Sequence, residues 1–286
     1  MSEQLGATDT ATATAARIDA ATTPTKLDPT VPNVARMYDY FLGGKDNYAA
    51  DRTAADEVIA RMPLTREVAR ANRAFLGRAV RYLAAEASIS QFIDIGAGLP
   101  TQDNVHQVAQ RANPDARVVY VDLDAVVMNH ARGILARNQQ TVAIVGDVRK
   151  PAAILADPEL NGLLDLSRPV ALLMVALLHF IPDDQGAYEA VAALVDALAP
   201  GSYLVISHIG NLPELEDAAT VYKKANAPVV LRTAPEISCF LDGLTLVDPG
   251  VVKVREWRPD PDASDADPLE PDVPFYGGVA VKEAVG

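Results

Sequence analysis

The sequence predicts an α/β fold: a doubly wound, mostly parallel seven-stranded sheet, with a helical extension ahead of it and an antiparallel strand pair at its C-terminal end. Three observations carry this expectation. From about residue 91, short β-branched runs alternate with longer helical stretches. Those runs have the apolar character of strands covered by helices on both faces. The chain ends in two strands with no helix between them, which pair antiparallel because a parallel pair needs a crossover.

The elements follow in order. Residues 1–30 are rich in Ala and Thr and lack the apolar run of a secretory signal, so they read as a disordered leader. Residues 31–87 read as an N-terminal helical lid segment, and 88–286 as the core domain. A helix is expected over 33–42, with Gly43 as its left-handed cap. A second, "LTREVARANRAFLGRAVRYLAAEA" (64–87), sets Arg66, Arg70, Arg73 and Arg81 on one stripe and Val68, Phe75, Ala79 and Leu83 nearly opposite. The stripe is either a solvated face or an anion-facing one. Asn72, on the apolar side, needs hydrogen-bond partners if buried. "QFIDIG" (91–96) is the first strand, with a helix over 101–111. "ARVVYVD" (116–122) is the second, followed by a helix across "AVVMNHARGILARN", and "TVAIVGD" (141–147) is the third. "PVALLMVALL" (169–178) is the fourth, followed by a helix over 183–198 that closes at Pro200-Gly201, and "SYLVISHI" (202–209) is the fifth. "LTLVDPGVVKV" (244–254) and "FYGGVAVKE" (275–283) complete the sheet, joined by "REWRPDPDASDADPLEPDVP", whose prolines and aspartates suit an exposed loop.

Composition narrows the function. The chain has 286 residues, 49% of them hydrophobic, and a formal charge of -13. That balance argues against nucleic acid as the main partner, because a phosphate backbone calls for clustered lysine and arginine. The longest apolar run, 170–181, falls short of the roughly 20 residues a membrane helix needs, so a cytoplasmic protein is expected. Cys239 is the single cysteine, so no intramolecular disulfide forms; within "ISCFL" it reads as a small core residue. His106, His130, His179 and His208 show no metal-ligand spacing, and no metal is expected.

The first strand ends in "DIGAGLP". Gly96 and Gly98 let the backbone turn tightly and approach a ligand, although the turn is also a sufficient strand-to-helix connection without one. A dinucleotide fingerprint needs a third glycine, which is missing, and Pro100 has no N–H to offer a pyrophosphate. Asp122, ending the second strand, stands where a carboxylate accepts from both hydroxyls of a ribose; the alternative is a helix cap, for which Asp124 is better placed. Asp147, after the third strand, accepts from an exocyclic amine or closes an Asx turn. The combination describes a ligand with a ribose and an adenine but no diphosphate.

On these residues the sequence resembles the class I S-adenosylmethionine-dependent methyltransferases over about 88–284. The resemblance implies a Rossmann-like sheet. It also implies a cofactor site in which Asp94, Gly96, Ala97 and Gly98 lie along the methionine part, Asp122 and Leu123 hold the ribose, Asp147 and Val148 meet the adenine, and Val175 and Ala176 complete the wall. "PNVARMYDYFLGGKDNYAADR" (32–52), "RANRAFLGRAVRYL" and "DIGAGLPTQDNVH" together resemble, more closely, a bacterial family of methyltransferases long catalogued as a domain of unknown function. The implied cofactor is S-adenosylmethionine and the implied acceptor a small molecule reacting at oxygen or nitrogen. A regulatory module that binds the cofactor without turnover is the alternative, and a nicotinamide-dependent oxidoreductase a weaker one.

Two further groups of residues are candidates. In "RMYDYFLGGKDNY", Gly43-Gly44-Lys45 fails as a P-loop because Asp39 replaces the required glycine and Asp46 the Ser/Thr. Tyr38, Tyr40, Asp46 and Tyr48 are left as residues of a lid folding over the open top of the sheet. His179, in "LLHFIPDD" after the fourth strand, either takes the acceptor's proton or braces its loop. His106 and His208 are weaker candidates for that role.

Overall fold

The computed structural model describes residues 28–100, 103–135, 138–260 and 273–284. The expected leader lies outside them up to residue 27, as does 261–272 of the expected C-terminal loop.

Five parallel strands form the sheet: β1 (Gln91–Ile95), β2 (Arg117–Asp122), β3 (Thr141–Val145), β4 (Ala171–Val175) and β5 (Tyr203–Ile209). The last two-residue strands β6 (Thr245–Leu246) and β7 (Val252–Lys253) both pair antiparallel with β8 (Phe275–Val281), which itself runs antiparallel to β5. The order is β3-β2-β1-β4-β5-β8-β6, so the winding direction reverses between β1 and β4. In such sheets the crevice at that reversal, beyond the carboxyl ends of the strands, is where ligands bind.

Period-two alternation feeds two cores, one on each face. Phe92, Val118, Tyr120 and Leu173 point to one side, where they meet Phe75 and Leu83 of α3 (Thr65–Ala85), Val108 of α4 (Val105–Ala112) and Met128 of α5 (Ala125–Leu135). Ile93, Val119, Val121, Leu172 and Met174 point to the other, against Ile154 of α6 (Pro151–Leu155), Leu160 of α7 (Pro158–Leu163) and Val191 and Leu194 of α8 (Ala187–Asp196). Gly277 of β8 is glycine for a packing reason: a Cβ there would stand 2.7 Å from the Phe75 ring.

A third cluster joins Met37 and Phe41 of α1 (Val34–Phe41), Ala54, Ala55 and Val58 of α2 (Ala49–Arg61), Ala69 of α3 and Val221 of α9 (Pro213–Val221). It ties the N-terminal helices to the segment after β5. Asn33 caps α1, accepting from Ala35 and Arg36, and Gly43 follows with φ +82°, as the helix-ending glycine requires. The buried Arg36–Asp51 pair, at 2.7 Å, locks α1 to α2, and Asp51 also accepts from the Asn33 and Tyr48 amides.

Several expectations are corrected. The strand expected over 244–254 is two short pieces, because Pro249 has no N–H for a ladder and Gly250 turns at φ +88°. β4 stops at Val175; the apolar residues beyond it continue into a short 3-10 turn, Leu178–Phe180. The expected exposed loop after residue 254 begins with a fully buried Trp257, packed edge-on against Phe75 at 5.5 Å. Cys239 is exposed rather than in the core; α10 (Ala234–Ser238) and the turn after it bury Ile237, Phe240 and Leu241 on the opposite side. The arginine stripe divides. Arg70 is exposed and Arg81 pairs with Asp260 at the surface, whereas Arg73 turns toward the end of β1.

Candidate active site

The carboxyl ends of β1 to β5 open into a cavity of about 680 Å³, closed from above by α1, α3, α9 and the 226–231 segment. Its size falls within the roughly 300–1,000 Å³ of small-molecule sites.

The glycine turn after β1 is bonded back to β2. Gly96 and Ala97 donate to the Val121 carbonyl at 2.8 and 3.2 Å, and Gly98 donates to Asp122 Oδ2 at 2.9 Å. These three amides are therefore engaged within the protein, which leaves them unable to cradle a pyrophosphate. Gly96 and Gly98 adopt φ +74° and +63°, a region side chains avoid. They differ in what a Cβ would meet. At Gly96 it would strike Leu177 at 2.7 Å, and at Gly98 nothing lies within 4 Å.

Asp122 accepts on both oxygens, from Gly98 on one and from the Asp124 amide at 2.9 Å on the other. The Leu123 amide also bonds it, and a carboxylate offers about four acceptor positions, so the amides do not use them all. Burial pushes its pKa up, and the Asp124, Gly98 and Leu123 amides partly offset that. Asp124 provides the carbonyl that receives Met128 N at the start of α5, and its side chain accepts from Asn33 at 3.0 Å. Asp147 closes the turn foreseen as its alternative role, accepting Arg149 N at 3.0 Å, and also pairs with the Arg149 guanidinium at 2.9 Å. Burial raises its carboxyl, but the Arg149 bonds outweigh that and leave its pKa lowered.

Asp94 is buried at the end of β1, and desolvation raises its pKa to about 7, with Arg73 opposing the rise and Asp122 adding to it. Arg73 reaches from α3 to this point and donates to the Asp103 carbonyl at 3.1 Å.

Ala176, just past β4, has φ +55°, a conformation that costs a non-glycine residue about 1 kcal/mol or more. A buried chain of hydrogen bonds holds it. Ala176 N donates to Ser207 Oγ at 2.9 Å, Ser207 Oγ to Asn72 Oδ1 at 2.6 Å, Asn72 Nδ2 to the Tyr38 hydroxyl at 3.0 Å, and that hydroxyl to the Ala69 carbonyl at 3.1 Å. Asn72 thus finds the partners its burial requires.

His179 is buried, and its Nδ1 has no hydrogen-bond partner among the described residues. Burial holds its pKa well below the usual value, with His208 and Arg232 adding to the effect, so the ring is neutral. Its loop is braced by others. The Val230 amide donates to the His179 carbonyl, and buried Arg232 donates to the Leu178 and Ile181 carbonyls and to His208 Nε2. His208 is thereby committed to Arg232 and to the Ile209 carbonyl, and His106 to the Tyr120 hydroxyl at 2.8 Å.

All the residues assigned to a cofactor from sequence line this one cavity, with His179 and Tyr38 beside them. Tyr40, Asp46 and Tyr48 stand outside its wall. The Tyr40 hydroxyl donates to Asp56, the Asp46 amide to the buried Asp39, and Tyr48 lies under Arg36 at 5.1 Å. Sequence reasoning missed Ser207 and Tyr222, for which no local pattern gives a signal. It registered Arg73 only as one of a stripe.

A family model described as S-adenosyl methyltransferase matches residues 20–283. A crystal structure of a methyltransferase described as putative, from Thermobifida fusca YX, is 42% identical over 91% of this chain and 98% of its own, with a TM-score of 0.85. A duf574 family protein from Streptomyces avermitilis MA-4680 is 43% identical over 89% of this chain and 99% of its own, also at TM-score 0.85. No curated protein matches the chain significantly. On the extent of the family match and of these two likenesses, the chain belongs to the S-adenosyl methyltransferase family and is an S-adenosylmethionine-dependent methyltransferase.

Proposed function

We infer that the chain transfers the methyl group of S-adenosylmethionine to an oxygen or nitrogen of a small-molecule acceptor. Asp94, Gly96, Ala97, Gly98, Asp122, Leu123, Asp147, Val148, Val175 and Ala176 hold the cofactor. The observation that carries the reading is their convergence, from the ends of β1 to β4, on one cavity at the reversal of the sheet. The residues fit the group. The space at Gly98 lets a ligand lie against the backbone, and Asp122 keeps acceptor positions for a diol. Asp94 and Arg73 offer a carboxylate and a guanidinium side by side, matching the ammonium and carboxylate of an amino-acid end.

S-adenosylmethionine supplies a methyl group already activated by its sulfonium. The chain's own contribution is to align the acceptor, exclude water and receive a proton. His179, neutral and with a free Nδ1, takes the proton from the acceptor's O–H or N–H as that atom forms its new bond to carbon. The helical segment 31–87 acts as a lid through Tyr38, the one of the four candidates Tyr38, Tyr40, Asp46 and Tyr48 that lines the cavity.

Calorimetry tests the cofactor site: S-adenosylhomocysteine is expected to bind, with nicotinamide dinucleotides much weaker, and equal or tighter dinucleotide binding overturns the reading. Mass spectrometry of a lysate incubated with the protein and methyl-labelled S-adenosylmethionine is expected to show one labelled small molecule.

A further inference from the structure

The cofactor residues account for the part of the cavity wall at the ends of β1 to β4. The rest of the wall comes from α1, α2, α3, α9, the turn after β4 and the 226–231 segment. We propose that this second part, walled by Val58, Val68, Phe180, Leu215, Ala218 and Ala219, is the acceptor chamber. It takes a largely apolar ring compound that carries no negative charge and whose single hydroxyl or amine meets His179 and Tyr222. The inference rests on the cofactor reading above and names the substrate class it left open.

Charge is the first argument. The charged side chains of the cavity wall are engaged by the protein: Arg36 with Asp51, Arg149 with Asp147, Asp28 with Thr30, Asp39 with the Asp46 amide and Asn47, and Asp124 with Asn33. Arg73 stands with Asp94 on the cofactor side. The arginines of the wall are thus paired with carboxylates, and an anionic acceptor would enter an apolar chamber without a counter-charge, which is costly. Polarity is the second. Thr65 donates to the Met62 carbonyl, and Tyr38 and Asn72 are satisfied within the chain that ends at Ser207. Gln185 and Asn226 accept from Arg149 and from the Val34 amide. That leaves two residues of the wall, His179, whose buried Nδ1 has no hydrogen-bond partner among the described residues, and Tyr222. Burial keeps both neutral, lowering the histidine's pKa and raising the phenol's. Shape is the third. The Phe180 and Tyr222 rings lie 6.0 Å apart and His179 packs edge-on to Phe275 at 5.7 Å, so the polar groups are framed by aromatic rings suited to a flat partner.

The test uses the full chain saturated with S-adenosylhomocysteine, and calorimetry with two probes of one shape: 2-naphthol, neutral with one hydroxyl, and the anion naphthalene-2-sulfonate. The naphthol is expected to bind, and the sulfonate to bind about tenfold more weakly or not at all. Ala219→Trp, which fills the chamber, should abolish naphthol binding, and Tyr222→Phe should weaken it about three- to tenfold by removing one hydrogen bond. Both variants should keep their S-adenosylhomocysteine affinity within about twofold, which also reports that they are folded. Tyr222→Phe carries the test alone if the bulkier change disturbs α9. If S-adenosylhomocysteine binds normally but the sulfonate matches the naphthol, the naphthol fails to bind, or it binds both variants undiminished, the chamber is misassigned and the cofactor reading stands. Failure of S-adenosylhomocysteine to bind the unmodified chain overturns both.

Discussion

Two carboxylates in the cavity have different tasks because their surroundings differ. Asp122 is fixed by the amides of Gly98 and Asp124, so it serves the turn as well as any ligand. Asp122→Ala removes both services, and S-adenosylhomocysteine affinity is expected to fall about ten- to a hundredfold. Asp122→Asn retains one acceptor oxygen and should lose less; calorimetry on the two variants separates the roles, since equal losses point to the turn alone. Asp94 is buried among fewer donors, and its pKa near 7 makes it a pH-sensitive contact. An ammonium group binds the ionised form, so cofactor affinity should rise as pH climbs through about 7. In the free protein the sign is opposite: a carboxyl whose folded pKa exceeds its ordinary 3.8 takes up a proton on folding, so stability falls as pH rises from about 4 to about 7. Asp94→Asn should flatten both profiles in titrations followed by calorimetry and thermal unfolding.

At the scale of elements, the hydrogen-bond chain from Ala176 through Ser207 and Asn72 to Tyr38 joins the ends of β4 and β5 to α3 and α1. Ser207→Ala leaves Asn72 Oδ1 without its partner and weakens the hold on the strained Ala176. A loss of about 1–3 kcal/mol in denaturant unfolding is expected, with cofactor affinity lowered as Ala176 relaxes. A loss below a few tenths would show that the chain is incidental. Its history in the sequence is instructive. Asn72 was legible as a problem, an amide on an apolar helix face, but its solution was not, because Ser207 is 135 residues away. The same contrast runs through the fold. β1, β2, β3 and β5 were readable to within a residue or two because their apolar runs end at Gly or Asp. The end of β4 was not, since Leu177 and Leu178 are apolar for packing into a turn rather than for a strand. The cavity-lining residues at the strand ends were readable because each follows directly on an apolar run. The rest of the wall was not: Tyr222 and the α9 residues reach the cavity only through long-range packing, which leaves no local period.

At the scale of the molecule, the question is what closes the cavity. The two sheet-facing cores take no buried residue from α1 or α2: their buried residues begin at Val68 of α3 and at Ile93. The N-terminal segment's own ties cluster at the cavity instead. Asn33 donates to Asp124, beside Asp122; the Val34 amide donates to Asn226; and the Asn226 amide donates to the Pro32 carbonyl. Ligand and segment therefore share neighbours, and each should stabilise the other. Deleting residues 1–52 removes α1 and exposes Val58, Ala69 and Val221, which are buried against it. The expected product unfolds cooperatively, retains the circular dichroism of its α/β core, melts at a lower temperature and binds S-adenosylhomocysteine about tenfold more weakly or worse. In the intact chain, amides from Met37 to Tyr48 should exchange more slowly once that ligand is added. If those amides exchange at the same rate with and without it, and the truncated chain binds normally, α1 is a structural cap and the cavity is closed by α3, α9 and the 226–231 segment.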